Sequence, residues 1–185
     1  MTLGPGFAGA LAAARAGADW AWTEIYRDLA PVVLGYFRAH GATEAEDLTS
    51  EVFVSMVRNI ASFDGDEAQF RSWVFVIVHR RLQDERRRLV RRPVAPVGTE
   101  QLDRVAATDV ETEALDAVST ARVIETFAQL SDDQRDVLTM RIVADLSLED
   151  TAVVLGKTVG AVKSLQHRGL AAVAKILSAL SVVIL

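Results

Sequence analysis

Seven arginines lie within fourteen residues near the middle of this chain, in the segment HRRLQDERRRLVRR at residues 79–92. The whole chain of 185 residues has a formal net charge of −5, so this segment is a local exception. Guanidinium groups bind phosphate oxygens in a fork-like geometry, and a cationic field of this density suits a nucleic-acid backbone. Any single run of charges can instead be a solvated helix face. Other segments of the sequence are needed to choose between that alternative and nucleic-acid binding.

A second set of polar residues opens a helix-like segment near the C-terminus. Residues 146–170, LSLEDTAVVLGKTVGAVKSLQHRGL, read as a short helix, a turn around Gly156–Thr158 and a longer helix. This order is typical of a helix-turn-helix, whose second helix offers its early residues to base edges in the major groove. A plain helical hairpin is the alternative. The polar residues early in the second helix are Lys163, Ser164, Gln166, His167 and Arg168.

The sequence contains no arrangement of residues that indicates catalysis or metal binding. The three histidines are far apart and have no metal-ligand spacing, and the chain contains no cysteine. The segment GPGFAG at residues 4–9 satisfies G-x-G-x-x-G, but only three residues precede it, too few for the strand that a dinucleotide-binding turn requires. The acidic segment 64–67 lacks the length of a calcium loop. We therefore expect no enzyme activity, no metal and no cofactor.

Apolar periodicity predicts helices throughout, and no segment reads as a strand. Spacings of three and four predict helices over residues 19–40 and 42–60, the second with its acids in the first turns, where the helix dipole favours them. Residues 61–70 read as a loop around Gly65. Residues 70–88 form a third helix, apolar early and cationic late. The apolar N-terminal segment reads only as a lead-in to a helix.

The C-terminal part carries three helix start signals. Ser131 with Gln134 forms a capping-box pattern, Ser147 precedes Asp150 at the same spacing, and Thr158 is a favourable N-cap. Residues 93–116 contain two prolines and six acids without a sustained amphipathic stripe, so they predict a flexible acidic linker between two domains.

Two blocks of the sequence resemble a known family. Residues 45–88, AEDLTSEVFVSMVRNIASFDGDEAQFRSWVFVIVHRRLQDERRR, resemble domain 2 of the extracytoplasmic-function (ECF) sigma factors, which are small members of the sigma-70 family. Residues 130–177, LSDDQRDVLTMRIVADLSLEDTAVVLGKTVGAVKSLQHRGLAAVAKIL, resemble their domain 4. The resemblance extends over about residues 10–92 and 117–180.

The resemblance implies an all-α protein of two small helical domains: domain 2 at residues 1–92, the linker at 93–116, and a helix-turn-helix domain 4 at 117–185. It implies a transcription initiation factor that binds core RNA polymerase, directs it to promoter DNA and aids melting. Such a protein is expected in the cytoplasm, without membrane insertion, and held inactive by an anti-sigma factor. Because polymerase contains the catalytic metals, this chain needs no catalytic residues.

The resemblance also assigns the site residues. The core polymerase contacts are expected to be Glu46, Asp47, Glu51, Phe53 and Met56. The minus-ten DNA contacts are expected to be Ser62, Phe63, Asp64, Arg80, Arg81, Arg86, Arg87 and Arg88. The minus-thirty-five DNA contacts are expected to be Thr158, Lys163, Ser164, Gln166, His167 and Arg168.

This chain departs from the family pattern where relatives usually have Arg-Leu and it has Leu165-Gln166. An apolar stripe through Val162, Leu165, Gly169 and Val173 favours a buried Leu165, which turns Gln166 outward for a base contact. The alternative leaves Leu165 facing DNA. A rival function is a free-standing helix-turn-helix regulator, but that class leaves the acidic segment AEDLTSEVF unexplained.

Overall fold

The computed structural model describes residues 4–91 and 125–182, and every regular element in these two ranges is helical. We call residues 4–91 the N-terminal unit and residues 125–182 the C-terminal unit. The segment predicted as a linker, residues 93–116, lies outside the described residues. The all-α fold class predicted from the sequence is confirmed.

Four helices build the N-terminal unit: α1 (Phe7–Arg15), α2 (Asp19–Ala39), α3 (Ala45–Asn59) and α4 (Glu67–Arg91). Helix α2 continues through Pro31 without a break. Helix α1 is more than the expected lead-in, because its residues Phe7 and Leu11 are buried in the core. The three longer helices match the predicted segments, with α4 beginning three residues earlier than the periodicity indicated.

The turns between these helices follow from local chemistry. Gly41, at φ +71°, ends α2 in a left-handed conformation, and the amide of Ala42 donates to the Phe37 carbonyl at 3.1 Å. This Schellman arrangement leaves His40 at the last turn of α2. At the start of α4, Asp66 and Gln69 cap each other: each backbone amide donates to the other side chain, at 2.8 and 2.9 Å.

Three α-helices lie wholly within the C-terminal unit: α5 (Asp132–Leu138), α6 (Leu148–Leu155) and α7 (Val159–Val182). Residues 125–128, at the start of this unit, are α-helical as well. All three predicted start signals are confirmed, since Ser131 forms a full capping box and Ser147 and Thr158 accept from the amides three residues later. Gly156, at φ +61°, ends α6 and creates the tight turn before α7. A π-helical turn at Thr139–Val143 follows α5.

The helix-turn-helix packs tightly on α5. Val137, Ala152, Val162 and Leu165 form one small cluster, and Leu138 belongs to a second with Phe127 and Leu130. A β-carbon at Gly169 would lie 3.0 Å from Leu138, so α7 approaches α5 closely at this glycine. This close packing fixes how far α7 is rotated and therefore which of its residues face outward.

The two units share a core. Met140, Ala144, Leu146 and Val154 of the C-terminal unit belong to the same cluster of buried residues as the aromatic core of the N-terminal unit. Helix α4 packs on α6, and α2 packs on the π-helical turn. The sequence predicted two domains joined by a linker and gave no sign of this contact.

Candidate nucleic-acid interface

The cationic half of α4 presents one exposed arginine face. The helical period places Arg80, Arg87 and Arg91 on a common line, with Arg81 and Arg88 beside it. The side chains of Arg87 and Arg88 are 60 % and 55 % exposed, although each pairs with an acid one turn earlier. Exposed pairs of this kind contribute little to stability, so these guanidinium groups remain available to phosphates. We call Arg80, Arg81, Arg87, Arg88 and Arg91 the α4 arginine face.

Arg86 lies on the opposite side of α4. Its side chain is 27 % exposed and its guanidinium lies 3.6 Å from a carboxylate oxygen of Asp132 in the C-terminal unit. The sequence grouped Arg86 with the DNA contacts, but in this arrangement it faces the neighbouring unit instead. Arg81 is also engaged, at 3.2 Å from Glu51 of α3.

The loop before α4 splits into exposed and buried residues. Ser62 and Asp64 are exposed, as a DNA contact requires, whereas Phe63 is 7 % exposed. Phe63 packs against Phe70 and Trp73 with ring centroids 5.3 Å apart. The assignment of Phe63 as a minus-ten contact is therefore corrected: its ring holds the loop on the core and is unavailable for stacking on a base.

The recognition surface of α7 is exposed as the helix-turn-helix pattern predicts. Thr158, which also caps the helix, is exposed, and so are the four residues that the helical period brings to the same side, namely Lys163, Ser164, His167 and Arg168. Two basic side chains, a hydroxyl and an imidazole on one face can contact both phosphates and base edges. The structure thus brings together five of the six residues predicted to contact the minus-thirty-five element.

The sixth residue, Gln166, is hydrogen-bonded to Arg141 within the C-terminal unit. Leu165 is 8 % exposed in the small core of the C-terminal unit, so the prediction that it is buried is confirmed. Gln166 is half-buried, and its Oε1 accepts a hydrogen bond from Nε of Arg141 at 3.2 Å. Because an arginine can only donate, this contact fixes which end of the amide faces it. A two-point contact of Gln166 with adenine would require release from Arg141.

The acidic helix α3 presents a mixed acidic and apolar surface. Glu46, Asp47 and Glu51 are exposed, and Arg38 donates to Glu46 at 2.6 Å, a hydrogen bond that lowers the pKa of this carboxyl. Met56 is fully buried and Phe53 is 8 % exposed. These two are corrected from partner contacts to core residues that hold α3 in place.

Three exposed apolar side chains near these acids were missed. Val54 and Val57 are about half exposed on the outer face of α3, and Tyr26 of α2 stacks on Phe53 at 4.7 Å while remaining 52 % exposed. Counting the helical period of α3 from Asp47 places Val54 and Val57 beside the acids, so that count could have found both valines. We call Asp47, Glu51, Val54, Val57 and Tyr26 the α3 docking surface.

Within residues 4–91 and 125–182, no cluster of three or more histidines, aspartates or glutamates is placed to hold a metal ion. Among the helices of the same ranges, none combines the length and apolar character needed to cross a membrane.

The fold and these surfaces define an all-helical protein with an exposed cationic face in each of two units, and comparison with known families gives its class. The family model for sigma-70 region 2 matches residues 24–92, and that for sigma-70 region 4 matches residues 120–173. The ECF RNA polymerase sigma factor SigD of Mycobacterium tuberculosis is 30 % identical over 166 residues, covering 86 % of this chain and 78 % of SigD. The chain belongs to the sigma-70 family, in its ECF group.

Other relatives agree. The ECF RNA polymerase sigma factor BldN of Streptomyces coelicolor is 31 % identical over 167 residues, 89 % of this chain, and the chain spans 63 % of BldN's length. A solved structure of CnrH in complex with the cytosolic domain of CnrY shares the fold, with a TM-score of 0.66 and 22 % identity over 92 % of this chain and 96 % of CnrH. The interpretation as a sigma factor is confirmed over that of a free-standing helix-turn-helix regulator.

Proposed function

We propose that this protein binds core RNA polymerase, directs it to a class of promoters and aids DNA melting at initiation. The proposal rests on one observation about the chain: region 2 and region 4 follow each other in sequence, and each presents an exposed cationic surface. A single DNA-binding unit would need only one such surface. Two of them allow the chain to recognise two promoter elements at once.

Each surface has a separate role in this proposal. The α4 arginine face, with Ser62 and Asp64 of the preceding loop, engages the minus-ten element, where cations on the backbone favour an opened strand. The exposed residues of α7 engage the minus-thirty-five element in the major groove. The α3 docking surface binds core polymerase, because acids beside exposed apolar groups suit a partner with cationic and apolar side chains.

We also propose where the protein acts, which further partner it binds and where its domains begin and end. The chain acts as a non-enzymatic subunit in the cytoplasm, because polymerase performs the chemistry and promoter DNA is found there. An anti-sigma factor is a further proposed partner, supported by CnrH, whose structure was solved in complex with the cytosolic domain of CnrY. The proposed boundaries are residues 1–92 for the first domain, 93–116 for the linker and 117–185 for the second.

The test is a charge reversal on the α3 docking surface. Asp47→Arg is expected to weaken binding to core polymerase about tenfold or more, since an exposed acid facing cations is replaced by a like charge. Its free energy of unfolding should change by less than about 0.5 kcal/mol, as is usual at exposed positions. Glu24→Arg, at an exposed acid of α2, is the matched control. Binding is measured with labelled protein, and function by in vitro transcription.

Equal affinity of parent and Asp47→Arg for core polymerase would contradict the role of α3. Absence of promoter-dependent transcription by the parent with any core polymerase that binds it would contradict the proposed function as a whole.

A further inference from the structure

A buried polar cluster joins the two units. His40, at the last turn of α2, contacts Asp136 of α5 with Nε2 and Oδ1 only 2.7 Å apart. The side chains of His40 and Asp136 are 0 % and 6 % exposed. Tyr36, which is fully buried, lies between them and His79 of α4: its hydroxyl is 3.0 Å from Nδ1 of His79 and 3.5 Å from Oδ1 of Asp136. None of these four residues belongs to a surface proposed above.

The proton positions of the cluster follow from its acceptors. Nδ1 of His40 lies 2.7 Å from the carbonyl oxygen of Tyr36, which can only accept, so this nitrogen carries a proton. Burial alone would raise the pKa of Asp136, but the hydrogen bond and charge of His40 outweigh it and lower that pKa. Asp136 is therefore a carboxylate near neutral pH, and Nε2 of His40 is its partner at 2.7 Å.

His79 completes the network in its neutral form. Its pKa is lowered, chiefly by burial, so Nδ1 is free to accept the proton of the Tyr36 hydroxyl. The contacts of Nδ1 of His40 with Tyr36 and of Tyr36 with His79 lie within the N-terminal unit, whereas Nε2 of His40 meets Asp136 only while the two units are in contact. Removing the Asp136 carboxylate would leave Nε2 of His40 buried without its hydrogen-bond partner, which costs more than the loss of an exposed pair.

The surroundings of the cluster show an extended contact. Met140 and Leu146 insert into the core of the N-terminal unit, where each is at most 2 % exposed. Two ion pairs cross the boundary, Arg86 with Asp132 at 3.6 Å and Arg71 with Asp145 at 3.8 Å. The contact therefore has an apolar centre, a buried polar pair of His40 and Asp136, and charged edges, which is the composition of a specific interface.

This closed arrangement does not fit a promoter. The minus-ten and minus-thirty-five elements are named for positions about 25 base pairs apart. This separation is about 85 Å of DNA at about 3.4 Å per base pair. A compact chain of this length has a radius of gyration of only about 16 Å. The α7 recognition surface and the α4 arginine face cannot reach both elements while α5, which packs on α7, stays in contact with α2 and α4.

We infer that the buried contact of His40 with Asp136 is an intramolecular latch that holds the free protein closed, and that binding to core polymerase opens it. The inference rests on the proposed function, because opening is required only if both elements are bound together. The free energy that stabilises closure is subtracted from the affinity for polymerase and promoter, so weakening the latch should raise activity. A residue with a purely structural role would show the opposite change.

The first experiment locks the closed form. A β-carbon added at Gly35 would lie 3.8 Å from Cγ1 of Val143 in the other unit, so side chains at these two positions touch and two cysteines there can be cross-linked. The chain has no cysteine of its own, so Gly35→Cys with Val143→Cys introduces the only thiols. Oxidised, this variant should lose promoter-dependent transcription about tenfold or more, and reductant should restore it. Each single substitution is the control.

Three outcomes are decisive. Equal transcription by the oxidised and reduced forms would overturn the inference, and so would failure of the disulfide to form, because the units would then not be in contact in solution. Absence of transcription by the reduced form and by the parent would contradict the proposed function instead. The disulfide itself would still report the closed state in that case.

The second experiment releases the latch. Asp136→Ala should increase the distance between dyes attached at Ala12→Cys in the N-terminal unit and Ser178→Cys in α7, both exposed positions. Asp133→Ala, which removes an exposed acid of the same helix that pairs with Lys157 within its own unit, should leave the distance unchanged. Circular dichroism checks that helix content is kept. A short distance in Asp136→Ala, or reduced transcription with intact helices, would overturn the latch.

Discussion

Single residues of α7 decide between burial and DNA contact. Leu165 and Gln166 are neighbours in sequence, yet one is buried in the small core and the other is held at its edge by Arg141. Arg141 supplies the partner that a half-buried amide needs. A base contact by Gln166 stays a prediction, because its oxygen is committed to this hydrogen bond.

The burial of Leu165 leads to a stability prediction. Leu165→Lys should lower the free energy of unfolding of the C-terminal unit by about 2–4 kcal/mol, because it removes a packed side chain and forces an ammonium group toward an apolar cluster. Leu170→Lys, at a position on the same helix that is 44 % exposed, is the matched control. Thermal melting measures both. Equal melting of the two variants would contradict the packing of Leu165.

At the scale of elements, α4 is the central component of the molecule. Its apolar first half forms core, its outer face carries arginines, and its opposite side meets the C-terminal unit through Arg86. The sequence indicated the first two properties through composition alone. The third depends on the direction of one side chain toward Asp132, which is 46 residues away in sequence, and no local pattern reports such a pair.

The division of α4 into faces leads to a binding prediction. Arg87→Gln combined with Arg88→Gln should reduce the log-log salt slope of promoter binding by holoenzyme by about two, one for each lost phosphate contact. Arg86→Gln should leave that slope unchanged, since Arg86 lies on the other side of the helix. Binding is measured over a range of salt concentrations. A slope that responds to Arg86 and not to the other two would reverse the assignment of faces.

At the scale of the whole molecule, prediction from sequence succeeded where signals are local. Helix types, the capping box at Ser131 and the burial of Leu165 followed from spacing. The π-helical turn could not be predicted in this way, because its residues have ordinary helical composition. The shared core could not be predicted either, because His40 and Asp136, which meet in it, are 96 residues apart. Phe53 and Met56, which the resemblance assigned to polymerase contacts, lie on the core side of α3, and the helical period counted from Asp47 indicates that side.

The buried cluster gives the whole molecule a pH dependence. The pKa of His79 is lowered from its ordinary value of 6.5, mainly by burial, and the groups facing it are Asp136, which opposes this shift, and His40, Arg86 and Lys157, which add to it. Its stabilising effect is complete above pH 6.5 and is lost as the pH falls from 6.5 toward the lowered pKa. The Asp136 contribution is lost only as the pH falls below the ordinary carboxyl value of 3.8.

We therefore expect the melting temperature to fall between pH 8 and about pH 5, with His79 as a cause. His79→Gln, which keeps an acceptor for the Tyr36 hydroxyl but does not titrate, should flatten this dependence. Melting is measured at constant ionic strength. An unchanged pH profile in His79→Gln would show that another group is responsible.

The shared core also affects synthesis on the ribosome. Met140, Ala144, Leu146 and Val154 complete the packing around α2 and α4, but the chain emerges from its N-terminus, so the region 2 helices are made first. At about 5–20 residues per second, the roughly 100 residues between His40 and Asp136 take about 5–20 seconds to be translated. During that interval the nascent helices expose an unfilled apolar surface and a histidine that lacks its aspartate partner. Chaperones can bind this surface until the C-terminal unit arrives.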